Sequence, residues 1–234
     1  MTSNSSNKIG HVAIIMDGNS RWARQRNLKT IEGHKQGVNR LRDIVKYSAK
    51  SEITHLSVFA FSTENWKRSA SEVSDLMKLF LKSIIKEVPE LIENKVQLNF
   101  IGDIPRFSKS LVSQINSATK DTEVRKPNLN LNVAISYGGR WDILSAIKRL
   151  KEHKINVHKI NEDDFSNLLS TSNFPDPDLL IRTGNEVRIS NFFLWQISYS
   201  ELYFSKLLWP DFKLSNFKSA LKKFSTRDRR FGKE

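Results

Sequence analysis

Five short runs along the chain are apolar on both faces: His11 to Met16 (HVAIIM), Leu56 to Phe61 (LSVFAF), Val96 to Ile101 (VQLNFI), Leu129 to Ile135 (LNLNVAI) and Leu179 to Ile181. A strand that is apolar on both faces belongs inside a parallel sheet covered by a layer on each side. Roughly 30 to 50 residues separate successive runs, which is room for the helical crossovers that parallel neighbours require. The pattern predicts an α/β fold: a single domain over 9–234, after a polar tail 1–8, with a central, mostly parallel sheet of about six strands and helices on both faces.

The clearest helix runs from about Glu72 to Asn94, with Val73, Leu76, Met77, Phe80, Ile84, Val88, Leu91 and Ile92 on one stripe. Ser71 stands where an N-cap is expected, and Pro89, which has no N–H for the Ile85 carbonyl, predicts a kink or break. Leu79, Leu81 and Ile85 widen the stripe beyond one core face. Two readings stay open: a deeply buried helix, or a helix that lines an apolar cavity. Gly139 to His153 and Leu214 to Phe224 are further amphipathic helices, and Asn161 opens a shorter one with acidic residues in its first turn.

The 234 residues, 38% of them hydrophobic, suffice for one full-sized core and lie outside the disordered regime. The chain has no cysteine, which excludes disulfides, a thiolate nucleophile and Cys-ligated zinc and permits a reducing compartment. No stretch of 18 apolar residues occurs and the start MTSNSSNKIG has no apolar leader core, so a cytoplasmic protein is expected. The formal charge of +13 points to an anionic partner: nucleic acid, a lipid surface or phosphorylated small molecules.

In an open parallel sheet ligands bind beyond the carboxyl ends of the strands, which singles out three segments. In DGNSRWAR, Asp17 ends the first strand, Gly18 and Asn19 permit a turn whose amides face a phosphate, and Arg21, Arg24 and, further on, His34 add cationic donors. A β-turn with a helix cap explains the same residues without function. FSTENWKR after the second strand gathers Ser62, Thr63, Glu64 and Asn65 beside Trp66 and Arg68, with a helix-capping turn as its rival reading. In LLIRTGNEVRISNF, Arg182 and Arg188 bracket a turn and Ser190 follows, a set that suits a diphosphate. Glu201 lies in the apolar stretch WQISYSELYF, where a carboxylate is costly unless paired or bound to a metal. Mg²⁺ usually takes one or two protein carboxylates with waters and substrate phosphates, so Asp17 and Glu201 would suffice. Neither GxxxxGK[ST] nor GxGxxG is present.

Taken together, HVAIIMDGNSRWA, EGHKQG, FAFSTENWKR, SYGGRWDI, IRTGNEVRISNFFLWQ, SELYF and WPDF, in this order from about His11 to Gly232, resemble the cis-prenyltransferases, specifically bacterial undecaprenyl diphosphate synthases. The DDxxD pairs of trans-prenyltransferases are missing. The resemblance implies repeated condensation of isopentenyl diphosphate onto an allylic diphosphate such as farnesyl diphosphate, giving a long polyprenyl diphosphate such as undecaprenyl diphosphate, the precursor of a lipid carrier for cell-wall glycan. A shorter-chain synthase and a non-catalytic subunit are the alternatives. Carried over residue by residue, Asp17 binds Mg²⁺ and is essential; Gly18, Asn19, Ser20, Arg21 and His34 hold the allylic diphosphate; Trp22, Ser62, Thr63, Glu64, Trp66 and Arg68 make further substrate contacts. Asn65 matches the assigned proton acceptor, although a carboxamide is barely basic and orienting water, Asp17 or a diphosphate oxygen suits it better. Arg182, Arg188, Ile189 and Ser190 match the isopentenyl diphosphate site, and Glu201 a second metal ligand. An apolar product tunnel is implied, which the wide helical stripe and Ala60 would line.

Three positions depart from the pattern: Thr30 in place of Arg, Val187 in place of a His, and Ile135 in place of a smaller residue that would leave the tunnel wider. The resemblance also implies a homodimer, whose tail RDRRFG either approaches a neighbouring active site or is simply solvated, and the excess of basic charge suits a surface resting on the inner face of an anionic membrane that receives the product. Nucleic-acid binding is not expected, because no aromatic-basic recognition module accompanies the charge.

Overall fold

A computed structural model describes residues 8–226. The predicted tail and the RDRRFG motif lie, but for Lys8, outside the described residues. Six strands form one sheet in the order β3-β4-β2-β1-β5-β6. They are β1 (His11–Ile15), β2 (His55–Ser62), β3 (Val96–Ile101), β4 (Leu129–Tyr137), β5 (Leu179–Arg182) and β6 (Glu201–Phe204), and every pairing is parallel. The five apolar runs all became strands. β6 has no such run because it is a short edge strand with only partly buried residues, and its backbone pairing with β5 creates it.

Among the described residues seven α-helices accompany the sheet, six between strands and the last after β6: α1 (Asn19–Arg24), α2 (Thr30–Ser48), α3 (Ala70–Glu93), α4 (Lys109–Asp121), α5 (Gly139–Glu152), α6 (Glu162–Ser166) and α7 (Leu214–Ser225). The pleat divides the core. Val12 and Ile14 of β1 join Val58, Val133, Ile181 and the helical residues Ile44, Ile84, Ile115 and Phe217 on one face. Ala13 and Ile15 face the other way, into a smaller cluster with Tyr137, Phe192 and Phe193, against which Trp141 of α5 packs. On that second face buried His11 contacts Ser57 Oγ at 2.7 Å and the Pro175 carbonyl at 2.6 Å, and Asn132 donates to the same hydroxyl at 3.1 Å.

The start of α3 corrects the sequence reading: Ser69, not Ser71, is the N-cap, its side chain accepting from the Glu72 amide. The expected break at Pro89 does not occur. The helix continues through it, with its buried residues Ile84 and Leu91 on either side to hold both halves against the core.

Candidate active site

β1 stops at Ile15, and three residues on Gly18 takes φ 112°, a left-handed conformation in which a Cβ would lie 2.8 Å from Leu208. This turn leaves Asp17 at the carboxyl end of the sheet. Its backbone oxygen accepts from Thr183 Oγ1 at 2.8 Å and from the Trp209 amide at 3.0 Å, so the loops after β5 and β6 hold it in place. Its carboxylate accepts from Arg182 Nη2 at 2.8 Å and from Arg21 Nη2 at 3.3 Å. Arg182 is almost wholly buried, and its other terminal nitrogen donates to Ser190 Oγ at 2.7 Å and to the Arg188 carbonyl. Glu186 in turn contacts Arg21 at 3.5 Å and Arg188 at 2.6 Å. The result is a row of alternating charges in which Arg182 is buried and Arg21 half-buried while the Arg188 side chain stays exposed at its edge, a pre-organised anion site.

α2 closes one side. Gly33 and Gly37 have no side chain where a Cβ would stand 2.1 Å from the Asn19 carbonyl oxygen and 2.4 Å from Asn19 Oδ1, so α2 lies directly on the Asp17-Gly18-Asn19 turn. That approach buries His34. Burial, and then the nearby Arg68, lower its pKa to about 4, so it is neutral at pH 7 and not the cation expected from sequence. Asn19 Oδ1, His34 Nε2 and Arg182 Nε are buried atoms that have no hydrogen-bond partner within the protein. All three side chains line one cavity with Asp17. Buried polar atoms are normally satisfied, so three orphans converging there mark the place of a polar ligand.

The third wall follows β2. The Ser62 amide donates to Asn65 Oδ1 at 3.0 Å, which engages the carboxamide oxygen and leaves the NH₂ as donor. This supports an orienting role over that of a base. Glu64 accepts from Asn191 Nδ2 at 2.8 Å. Burial pushes the Glu64 carboxyl upward, but hydrogen bonds from Asn191, its own backbone, Ser62 and Thr63 outweigh that and hold it below the ordinary range. Asn191 was not singled out from sequence. It stands at φ 65°, its Oδ1 accepts from the Arg140 amide at 2.9 Å, and its carbonyl accepts from the Gly139 amide at 2.7 Å. It therefore ties the β2, β4 and β5 loops together. An Asn beside Ser190, both at positive φ, was the one local signal available.

From this polar end a cavity of about 810 Å³ runs between the sheet and helices α2 and α3. Leu41, Val45, Leu76, Leu79, Phe80, Ile84, Leu98 and Leu131 are on its wall, so the wide stripe of α3 does line an apolar cavity. Of the residues that widen the stripe, Leu79 does so, whereas Leu81 and the half-exposed Ile85 do not. Ala60 reaches the wall at a register shift between Phe59 and Phe61, and buried Ile135 stands opposite.

Of the residues selected from sequence, Asp17, Asn19, His34, Ser62, Glu64, Asn65, Arg68, Arg182 and Ser190 share the cavity wall. Gly18 and Arg21 adjoin Asp17. Ser20, Trp22, Thr63, Trp66, Arg188 and Ile189 are off the wall. Trp22 donates to Asp211 at 2.8 Å, Trp66 donates to Ser136 Oγ at 2.9 Å, and Ile189 packs in the second-face cluster. Thr30 is the first residue of α2 and Val187 is 78% exposed.

The pairing of Asp17 with Glu201 on one ion needs correction. Glu201 is in register with Leu179 at the start of β5, which pairs with Val12. At about 3.3 Å per residue the five steps from Val12 to Asp17 amount to about 16 Å along the strand, too far for two carboxylates of one chain to share a metal. Among the described residues no group of three or more His, Cys, Asp or Glu gathers as a metal site. Asp17 is a single carboxylate on the cavity wall, already paired with Arg182 and Arg21, and fits only a cation that takes most of its shell from phosphate and water. No described helix is long and apolar enough to cross a membrane.

Residues 15–232 match the family described as "Putative undecaprenyl diphosphate synthase". Over 226 residues, 95% of this chain and 94% of the relative, the sequence is 47% identical to a ditrans,polycis-undecaprenyl-diphosphate synthase, (2E,6E)-farnesyl-diphosphate specific, of Haemophilus influenzae. It is 47% identical to an isoprenyl transferase of Neisseria gonorrhoeae, covering 95% of this chain and 89% of that protein. In structure it matches lavandulyl diphosphate synthase of Lavandula x intermedia, solved with dimethylallyl diphosphate, with a TM-score of 0.92 and 35% identity over 97% of this chain and 99% of that one. Strand-end carboxylate, buried arginine, apolar cavity and sequence agree: this chain belongs to the undecaprenyl diphosphate synthase family of prenyltransferases.

Proposed function

We propose that this prenyltransferase condenses isopentenyl diphosphate repeatedly onto farnesyl diphosphate to make undecaprenyl diphosphate, with Mg²⁺ at Asp17. The observation that carries the reading is the juxtaposition of the Asp17–Arg182 pair and three orphaned polar atoms with the mouth of an apolar cavity. A prenyl diphosphate has this polarity, an anionic head on a hydrocarbon tail. The Mg²⁺, when bound, offsets charge on the departing diphosphate. Asp17 holds the cation, and His34 and Asn19 offer polar atoms beside it. Arg182, with Arg188 and Ser190, orients the second diphosphate, and the Asn65 NH₂ faces the acceptor of the proton lost from isopentenyl C2. The walls supplied by α2 and α3 exclude water from the allylic carbon as it acquires cationic character.

Purified protein with both diphosphates and Mg²⁺ is expected to form longer prenyl chains, resolved by thin-layer chromatography. Asp17→Ala is expected to abolish them, whereas chelation should do so reversibly. Wild-type protein that forms no longer chain under these conditions would end the proposal. Buried Ile135 on the cavity wall, in place of the smaller residue of the family pattern, favours a second reading, a synthase that stops at a shorter product, and the same chromatogram separates the two. Action as a homodimer and contact with anionic membranes are further proposals, supported by the family resemblance and the +13 charge; the solution mass from sedimentation equilibrium tests the first, and co-sedimentation with vesicles with and without anionic lipid the second.

A further inference from the structure

Helix α3 turns opposite faces to two different surroundings. Leu76, Met77, Leu79, Phe80 and Ile84 line the cavity. On the outside Lys78, Lys82, Ile85, Lys86, Pro89 and Ile92 are all exposed, Ile85 at 57% and Ile92 at 49%. At about 3.6 residues per turn these six fall within a sector of about 120°, so they form one stripe along about four turns.

The stripe carries positive charge with no carboxylate to offset it. Between Lys78 and Ile92 the acidic residues of α3 are Glu87 and Glu90, and both turn toward α2, where Arg42 and Lys46 bind them. Asp75 and Glu93 stand only at its two ends. None of the ion pairs among the described residues includes Lys78, Lys82 or Lys86. Beside the stripe, Trp66, Met77, Leu81, Phe107 and Leu111 line a groove between α3 and α4. Lys78 and Arg106 are its cations, and the Arg106 guanidinium lies 4.6 Å over the Trp66 ring. Lys109 follows, exposed in the first turn of α4. Isoleucines between the lysines would serve no purpose against a nucleic-acid backbone. They suit a helix that lies in a bilayer interface, with lysine stems among apolar groups and ammonium groups at lipid phosphates.

We propose that this enzyme rests on an anionic bilayer through the outer face of α3 and the adjoining α3–α4 groove. The proposal gives a place to the membrane contact proposed above and rests on that reading. A helix is about 10 Å across, so α3 alone stands between the lipid and the hydrocarbon in the cavity: its inner residues meet the product and its outer ones the bilayer that receives it. The lysines of α5, Lys148 and Lys151, with Lys154 just beyond, lie on the other side of the sheet.

The test is co-sedimentation of the full chain, in 0.1 M salt, with phosphatidylcholine vesicles that contain or lack phosphatidylglycerol. The combined variant Lys78→Gln, Lys82→Gln and Lys86→Gln is expected to bind anionic vesicles about a hundredfold more weakly, at about fivefold for each lysine, with Tm and the vesicle-free first condensation unchanged. Lys148→Gln, Lys151→Gln and Lys154→Gln remove equal charge beyond the Debye length of about 10 Å from the bilayer, and should leave binding within about twofold of wild type. The chain has no cysteine, so Ile85→Cys and Glu152→Cys each provide one site for an environment-sensitive fluorophore. A blue shift on anionic vesicles is expected at position 85 and none at position 152. An α5 triple variant that binds as weakly as the α3 one overturns the proposal, as does a shift at position 152 instead of 85 or equal binding to neutral vesicles. Wild-type protein that fails to sediment with anionic vesicles removes the membrane contact itself, a result distinct from binding through another face.

Discussion

Gly33→Ala gives opposite outcomes by local and tertiary reasoning. Gly33 is the fourth residue of α2, where alanine by helix propensity should stabilise by about 1 kcal/mol. In the fold a Cβ there would lie 2.1 Å from the Asn19 carbonyl oxygen, when 3.0 Å is already closer than real Cβ atoms come. The helix and the turn must separate by about 1 Å, an overpacking strain of about 1 to 3 kcal/mol that exceeds the propensity gain. The turn that moves carries Asp17 and Asn19, and displacement of a reacting group by about 1 Å costs about a hundredfold in rate. Gly10→Ala is the control, since its Cβ would meet nothing nearer than 3.7 Å. The expected result is a lowered Tm and a kcat down about a hundredfold for Gly33→Ala, with Gly10→Ala within about 0.5 kcal/mol of wild type. A Gly33→Ala enzyme with raised Tm and full turnover would refute the claim that α2 is pressed on the diphosphate turn.

Asn191→Asp keeps the acceptor for the Arg140 amide but sets a carboxylate against Glu64 in place of a charge-assisted donor; a stability loss of about 1.5 to 3 kcal/mol is expected, read as a Tm lower by about 3 to 12 °C, together with a fall in kcat/KM as the loops shift. Full activity in that variant would show that the loops are held otherwise. Acid should destabilise the fold through His11 and His34, both lowered from 6.5 to about 4 by burial. The unfolded chain binds more protons between those values, so stability is complete above pH 6.5 and is lost as pH falls toward 4, by about 3 kcal/mol per histidine at most. His11→Gln should flatten that limb of the Tm profile, and an unaltered slope would assign acid lability elsewhere.

The sequence by itself determined the sheet, because strands apolar on both faces have one stable environment, and it determined the anion chemistry at strand ends, because Asp-Gly-Asn and paired arginines are local patterns. Ordered motifs were enough to indicate the family. Tertiary structure decided what depends on distance between segments. Pairing through β5 and β6 put Glu201 about 16 Å along the strand from Asp17, although both are carboxylates in apolar surroundings. Burial under α2 turned His34 from a nominal cation into a neutral donor, a desolvation effect that no spacing encodes. Asn191 acquired its place only when three loops met around it. The ion pairs on the cavity wall read along the chain as ordinary solvated faces of two helices; only the packing of α2 against α3 over an apolar chamber sets them on its wall.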